Sequence, residues 1–245
     1  MKRILTTLLA ACALHAGGEE YTVYFQHGTD TAAIARRMAP LRQGEKPAEC
    51  RYVVLVDEAG TMADAINSAN AIKAGVTELP SLVISDAQGA YAVLPVNQVS
   101  AATLEAARHA ATAPDRDQLA RKRNFDAQQY LLFARLALVK PLEGEVLQQC
   151  IGTCRALMEH PFATPADKQR LGYLCLYPLL MQEYTCMYRG AHTPASEAKL
   201  LEAIAALEAA RDLDRNTGIG KQAFAERERL RAARRQARTM EYSLN

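Results

Sequence analysis

The chain has 245 residues, 29 Lys and Arg against 27 Asp and Glu, and a formal net charge of +2. That balance excludes a chain that binds polyanions along its whole length, so no nucleic-acid partner is expected. Hydrophobic residues make up 49%, which suffices for a packed core of one large or two small domains.

The first residues read as a targeting segment, placed at 1–16. Two charges, Lys2 and Arg3, precede an apolar stretch from Ile4 to Ala13 and then small residues up to Gly17 and Gly18. The stretch is shorter than the roughly 20 apolar residues that span a bilayer. Cleavage fits after Ala13 or Ala16. Leu9-Ala10-Ala11-Cys12 also resembles a bacterial lipobox, in which Cys12 is acylated. The expectation is therefore a periplasmic or secreted protein. The alternative is a lipoprotein, touching the membrane only through Cys12.

Residues 20–113 alternate strand-like and helix-like stretches. Glu20 to Phe25 is rich in aromatic and β-branched residues and predicts a strand. Thr29-Asp30-Thr31 offers N-cap oxygens, and Ile34, Met38 and Leu41 follow at helical spacing. Tyr52 to Val56 is a continuous apolar run, the pattern of a strand buried on both faces of a sheet. Met62, Ile66, Ala69 and Ile72 form a helical stripe that ends at Gly75. Ser81 to Ile84 and Ala90 to Leu94 predict a hairpin around Asp86-Ala87-Gln88-Gly89, and Ser100 caps a last helix carrying Leu104.

This β-α-β-α-β-β-α order resembles the minimal thioredoxin fold. The sharpest match is Val76-Thr77-Glu78-Leu79-Pro80-Ser81-Leu82-Val83-Ile84, similar to the family's loop before a strand, where a cis-proline lies between an apolar and a small hydroxyl residue. Met38-Ala39-Pro40-Leu41 resembles the kinked part of the helix after the active site. The resemblance implies a polypeptide-binding groove at Leu79, Pro80 and Ser81, with Gly28 and Thr29 beside it. It also implies a CxxC at the start of the first helix. Counting back from Pro40 places those positions at Ala32 and Ala35; aligning on Phe25 places them within Gln26 to Thr31. Neither register holds a cysteine, and the thiolate is the reagent of disulfide exchange, so a redox-inactive domain is expected. Cys50, before the second strand, is the remaining thiol of this region.

Ala113-Pro114-Asp115 reads as a boundary, and residues 117–245 read as all-helical. Helices are predicted over Gln118 to Val139, Glu143 to Glu159 and Pro165 to about Arg189, then from Pro194 and after Gly218-Ile219-Gly220. Pro178 should kink or split the third, because proline removes an internal donor. Ala203 to Asp214 resembles the second helix and exit turn of a tetratricopeptide repeat, so the region is either a helical bundle or a degenerate repeat array.

Export makes disulfides the expected state of the helical cysteines. Cys154 and Cys175 are equidistant from the Phe162 to Pro165 link, so an antiparallel hairpin brings them level. Cys150 and Cys186 pair by elimination, and Cys50 stays free. His27, His109, His160 and His192 are scattered and no CxxC pair exists, so neither metal nor cofactor is expected. Asp212 to Ile219 has the start of a calcium loop but Thr217 where glycine is needed and Ala223 where a bidentate carboxylate is needed. The arginine-rich last helix reads as a solvated face. The functional expectation is a non-catalytic, chaperone-like module that binds a polypeptide client or envelope protein. The alternative is a thiol-dependent reductase or isomerase acting through Cys50 or a helical-domain cysteine.

Overall fold

A computed structural model of the chain describes residues 18–42, 49–188 and 193–244. The expected targeting segment 1–16 and Cys12 lie outside these residues. The chain forms two compact units, Met1–Glu58 with Asn70–Asn124, and Ala59–Ala69 with Phe125–Asn245.

The first unit is a four-stranded mixed sheet with helices. Its strands are β1 (Glu20–Gln26), β2 (Cys50–Leu55), β3 (Ser81–Asp86) and β4 (Gly89–Pro95), in the order β2-β1-β3-β4. β1 runs parallel to β2 and antiparallel to β3, and β3 pairs antiparallel with β4. The helices are α1 (Thr31–Arg37), α2 (Met62–Ala74), whose end from Asn70 belongs to this unit, and α3 (Ala101–His109). Alternate residues of each strand serve opposite faces. Val23, Phe25, Leu82 and Ile84 meet Ile34 and Met38 of the α1 segment and Leu104 of α3. Tyr24, Val53 and Val83 meet Ala71 and Ala74 of α2.

The continuous apolar run at Tyr52 to Val56 does not make a strand buried on both faces. β2 lies at the sheet edge, where Val53 is buried while Tyr52 and Val54 remain 38% and 41% exposed. The doubly buried strand is β3, in the sheet interior, with Ser81, Leu82, Val83 and Ile84 all buried. Hydropathy runs look alike at both places; strand order, a tertiary property, separates them.

Local chemistry sets the ends of these elements. Asp86 accepts from Gln88 N at 2.8 Å and Gly89 adopts φ 109°, which closes the β3–β4 hairpin in two residues. Ser100 and Thr103 form a reciprocal capping box at α3. Gly75, at φ 87°, ends α2 with its amide and that of Val76 both bonded to Ala71 O. α4 (Arg116–Leu138) begins inside this unit. There Arg116 makes a two-pronged ion pair with Asp86, Nη1–Oδ2 at 2.9 Å and Nη2–Oδ1 at 2.5 Å. It also donates to Gly89 O and Ala111 O.

The second unit is helical: the rest of α4, α5 (Gly144–Glu159), α6 (Pro165–Leu171), α7 (Tyr177–Tyr188), α8 (Pro194–Leu213) and α9 (Gly218–Leu244). α5 buries Leu147, Cys150, Ile151, Cys154 and Leu157, one stripe at helical spacing. That stripe joins Leu171, Cys175, Leu179, Leu180 and Ala203 in a single core. Thr164 and Thr193 begin α6 and α8 with capping boxes and a proline in the first turn. Pro178 splits the third predicted helix as expected. Gly172–Leu176 forms a π-turn between α6 and α7, so the position that lacks a donor falls in the first turn of a new helix. Gln169, only 3% exposed, donates to Ala210 O and Asp214 O at 2.9 and 2.6 Å and accepts from Thr217. One buried amide thus closes the end of α8 and fixes the turn into α9.

Candidate functional site

In the sheet unit, the turn after β1 and the loop before β3 face each other across a recess of about 240 Å³. On one side, Thr29 bonds Gln26 O through both its amide and its hydroxyl, and Gly28 takes φ 87° to turn the chain. Asp30 is the N-cap of α1 and its Oδ1 accepts from Ala32 N and Ala33 N at 2.9 and 3.1 Å. Ala33, Ile34 and Arg37 then line the recess at intervals that share a helix face. Ile34 is buried and connects its floor to the core.

Glu78, Leu79 and Pro80 form the opposite wall, with Pro95, Val96 and Asn97 at the side. Leu79–Pro80 is a cis peptide, as the family resemblance expects. Two bonds hold this loop. Ser81 Oγ donates to Glu78 O at 2.8 Å, and Val96 N donates to Pro80 O at 3.0 Å. Leu79 itself is 39% exposed, and its backbone amide and carbonyl have no hydrogen-bond partner among the described residues. Among the described residues the side chains of Arg37 and Glu78 make no ion pair.

Of the five binding residues expected from sequence, Thr29, Leu79 and Pro80 line the recess. Gly28 shapes the turn without lining it. Ser81 is fully buried beneath the loop and holds it in place. The first-turn residues that face the recess are Asp30 and Ala33, rather than Ala32 with Ala35. Asp30 falls within the Gln26 to Thr31 register; Ala33, three residues on, does not. The N-cap supplies the missing signal: once Asp30 is identified as the cap, helical spacing points to Ala33, Ile34 and Arg37. Pro95 and Val96 had no such signal, because the β3–β4 pairing brings them beside Pro80.

No cysteine lines the recess. Cys50 is half-buried and packs against the core on the α1 and α3 side. Cys150, Cys154 and Cys175 are buried and Cys186 is exposed, and these four are free thiols in the structure. Cys154 and Cys175 are direct neighbours. Cys154 donates toward Leu171 O at 3.6 Å, and its hydrogen bond with Cys175, followed by burial, pushes the Cys175 thiol well above the usual range. Cys150 and Cys186 occupy different environments, one interior and one surface. Among the described residues no group of three or more His, Cys, Asp or Glu side chains converges to hold a metal ion.

The arginines of α9 are largely committed to neighbours. Arg227 and Arg231 pair with Glu208, Arg229 with Glu226 and Arg234 with Glu197. Asp212, at the start of the calcium-like sequence, holds Arg211 and Arg215. Among the described residues no helix is long and apolar enough to cross a membrane. Comparison with protein-family models, with curated proteins and with solved structures found no match for this chain.

Proposed function

We propose that the protein is a non-catalytic, thioredoxin-like binding module of the cell envelope, holding an extended polypeptide in the recess beside Leu79–Pro80. The observation that carries this reading is Leu79: an exposed apolar side chain whose own amide and carbonyl have no hydrogen-bond partner among the described residues, set beside Ala33, Pro80 and Pro95 in the recess. Such a residue offers an extended chain both backbone hydrogen bonds and apolar contact, the two ingredients of strand-like peptide recognition. Thiol exchange has no reagent at this position. Helix N-terminal amides lower a thiol pKa where a cysteine sits over them. Here Asp30 Oδ1 already accepts from those amides. The hydrogen bond with Cys154 and burial raise the Cys175 thiol pKa, which argues against Cys175 itself as the thiol of the reductase alternative.

The test is binding of a fluorescently labelled, carboxymethylated and therefore permanently unfolded polypeptide, followed by anisotropy. Leu79→Asp should weaken binding about tenfold or more, as expected for a central apolar contact. Leu201→Asp, at an equally exposed leucine of α8, should leave it unchanged. Equal binding by wild type and Leu79→Asp would remove the recess from the function.

A further inference from the structure

The end of α8 and the first two turns of α9 enclose a second recess, of about 240 Å³, lined by Arg211, Arg215, Gly220, Lys221 and Phe224. We propose that this recess takes the C-terminal carboxylate of a polypeptide whose last side chain is apolar. The proposal is independent of the groove beside Leu79.

The cations are arranged before any ligand arrives. Asp212 Oδ1 accepts from Arg211 Nε and Nη2 at 2.8 and 2.5 Å, and from Arg215 Nε and Nη2 at 2.9 to 3.2 Å. One carboxylate oxygen thereby orients both guanidinium groups. Nη1 of each arginine, and the Lys221 ammonium, have no partner among the described residues. The three cations face Asp212 and, 4.0 Å from Arg211 Nη2, Glu208, whose carboxylate is shared with Arg227 and Arg231, so the recess keeps unspent donors on Nη1 of each arginine and on Lys221. Forked arginine donors match the two oxygens of a carboxylate.

Gly220 builds the recess. A Cβ at that position would stand 2.1 Å from Asp214 O and 3.1 Å from Arg215 Cα. Only glycine lets α9 start this close to the end of α8, bringing Lys221 beside the arginines. The remaining wall is Phe224, 48% exposed, the largest exposure among the large hydrophobic side chains described. Arg227 lies over its ring at 5.2 Å. An apolar wall beside a cationic one calls for a ligand that carries an anion and an apolar group on one short unit. The volume falls below the roughly 300–1,000 Å³ of sites for drug-sized ligands. It suits one terminal residue, and capture of chain-terminal carboxylates is an established recognition mode.

The experiment uses the full chain and an N-terminally fluorescein-labelled octapeptide, Gly-Ser-Gly-Ser-Gly-Ser-Ala-Leu, as the free acid and as the C-terminal amide. The free acid should bind saturably and the amide about tenfold more weakly or not at all, as for loss of a charged hydrogen-bonding partner. Arg215→Gln with Lys221→Gln should abolish the difference. Both side chains are exposed, so far-ultraviolet circular dichroism should show the fold intact. Lys221→Arg should keep the preference, and Leu79→Asp should leave it untouched. Equal binding of acid and amide, wild-type preference in the double glutamine variant, or displacement by inorganic phosphate as readily as by the unlabelled acid peptide would each overturn the proposal.

Discussion

The two units place their chemically capable residues in opposite ways. In the sheet unit, the recess sets the apolar surface of Ala33, Leu79, Pro80 and Pro95 beside the charged side chains of Asp30, Arg37 and Glu78, held open at the surface by Asp30, Ser81 and Val96. In the helical unit, three thiols sit in the middle of the core, with Cys154 and Cys175 fully buried and hydrogen-bonded together. Buried thiols such as Cys154 and Cys175 behave as packing, whereas the apolar and charged groups exposed around Leu79 are available to a partner. Accessibility, more than residue type, decides which region can act on another molecule.

That contrast can be attacked first where the thiols are supposed to be core. Leu179 is fully buried in the same cluster. Leu179→Ala should cost about 2–5 kcal/mol through lost burial and a residual cavity, read by urea denaturation at 222 nm; a cost near zero would mean that the cluster is loosely packed and its thiols accessible. We expect a comparable gain when the protein is oxidised. When the reduced chain is refolded from urea with oxidised glutathione, so that the thiols start exposed, Cys154 and Cys175 should each lose a proton and together one electron pair, releasing two reduced glutathiones. The resulting bridge would close a loop of about 20 residues, worth roughly 3 kcal/mol in the entropic account. Non-reducing peptide mapping checks it, and a Cys154–Cys150 product or unreacted thiols would remove that pair as a structural staple.

On the sheet side, Arg116→Gln removes five hydrogen bonds from a guanidinium that is 10% exposed. A loss of about 1–3 kcal/mol is expected where charged hydrogen bonds go unreplaced. The Arg116 hydrogen bonds hold the Asp86 carboxyl below its ordinary value. A lowered acid contributes stability that is complete above its unfolded pKa, about 3.9, and is lost as the pH falls through the lower folded value. Acid titration should therefore show a stability loss below about pH 4 in wild type, with that component missing in Arg116→Gln; parallel curves would contradict the assignment. Leu79→Asp, by contrast, should change stability by no more than about 0.5 kcal/mol while weakening unfolded-polypeptide binding, because an exposed side chain carries little folding energy. Should it unfold the protein, Leu79 belongs to the core and not to a surface. The smallest expected effect is none: insulin reduction by dithiothreitol should run at the rate without protein. Turnover that disappears with Cys50→Ser would make an accessible reagent of that thiol.

Much of this architecture is written in local sequence. Helix starts at Asp30, Ser100, Thr164 and Thr193, the glycine stop at Gly75, the hairpin at Gly89 and the break at Pro178 all follow from capping oxygens, positive φ and a missing donor. These are interactions between residues within about four positions of each other, so the chain states them directly. The edge position of β2, the contribution of Pro95 and Val96 to the recess, and the burial of Gln169 under the α8–α9 turn do not appear in that code. Nor do the joint hold of Asp212 on two arginines or the contact of Cys154 with Cys175 as free thiols. Each depends on which segments become neighbours in space. That choice is settled by the summed burial of many weak apolar contacts between distant segments, and no short stretch of sequence contains the sum.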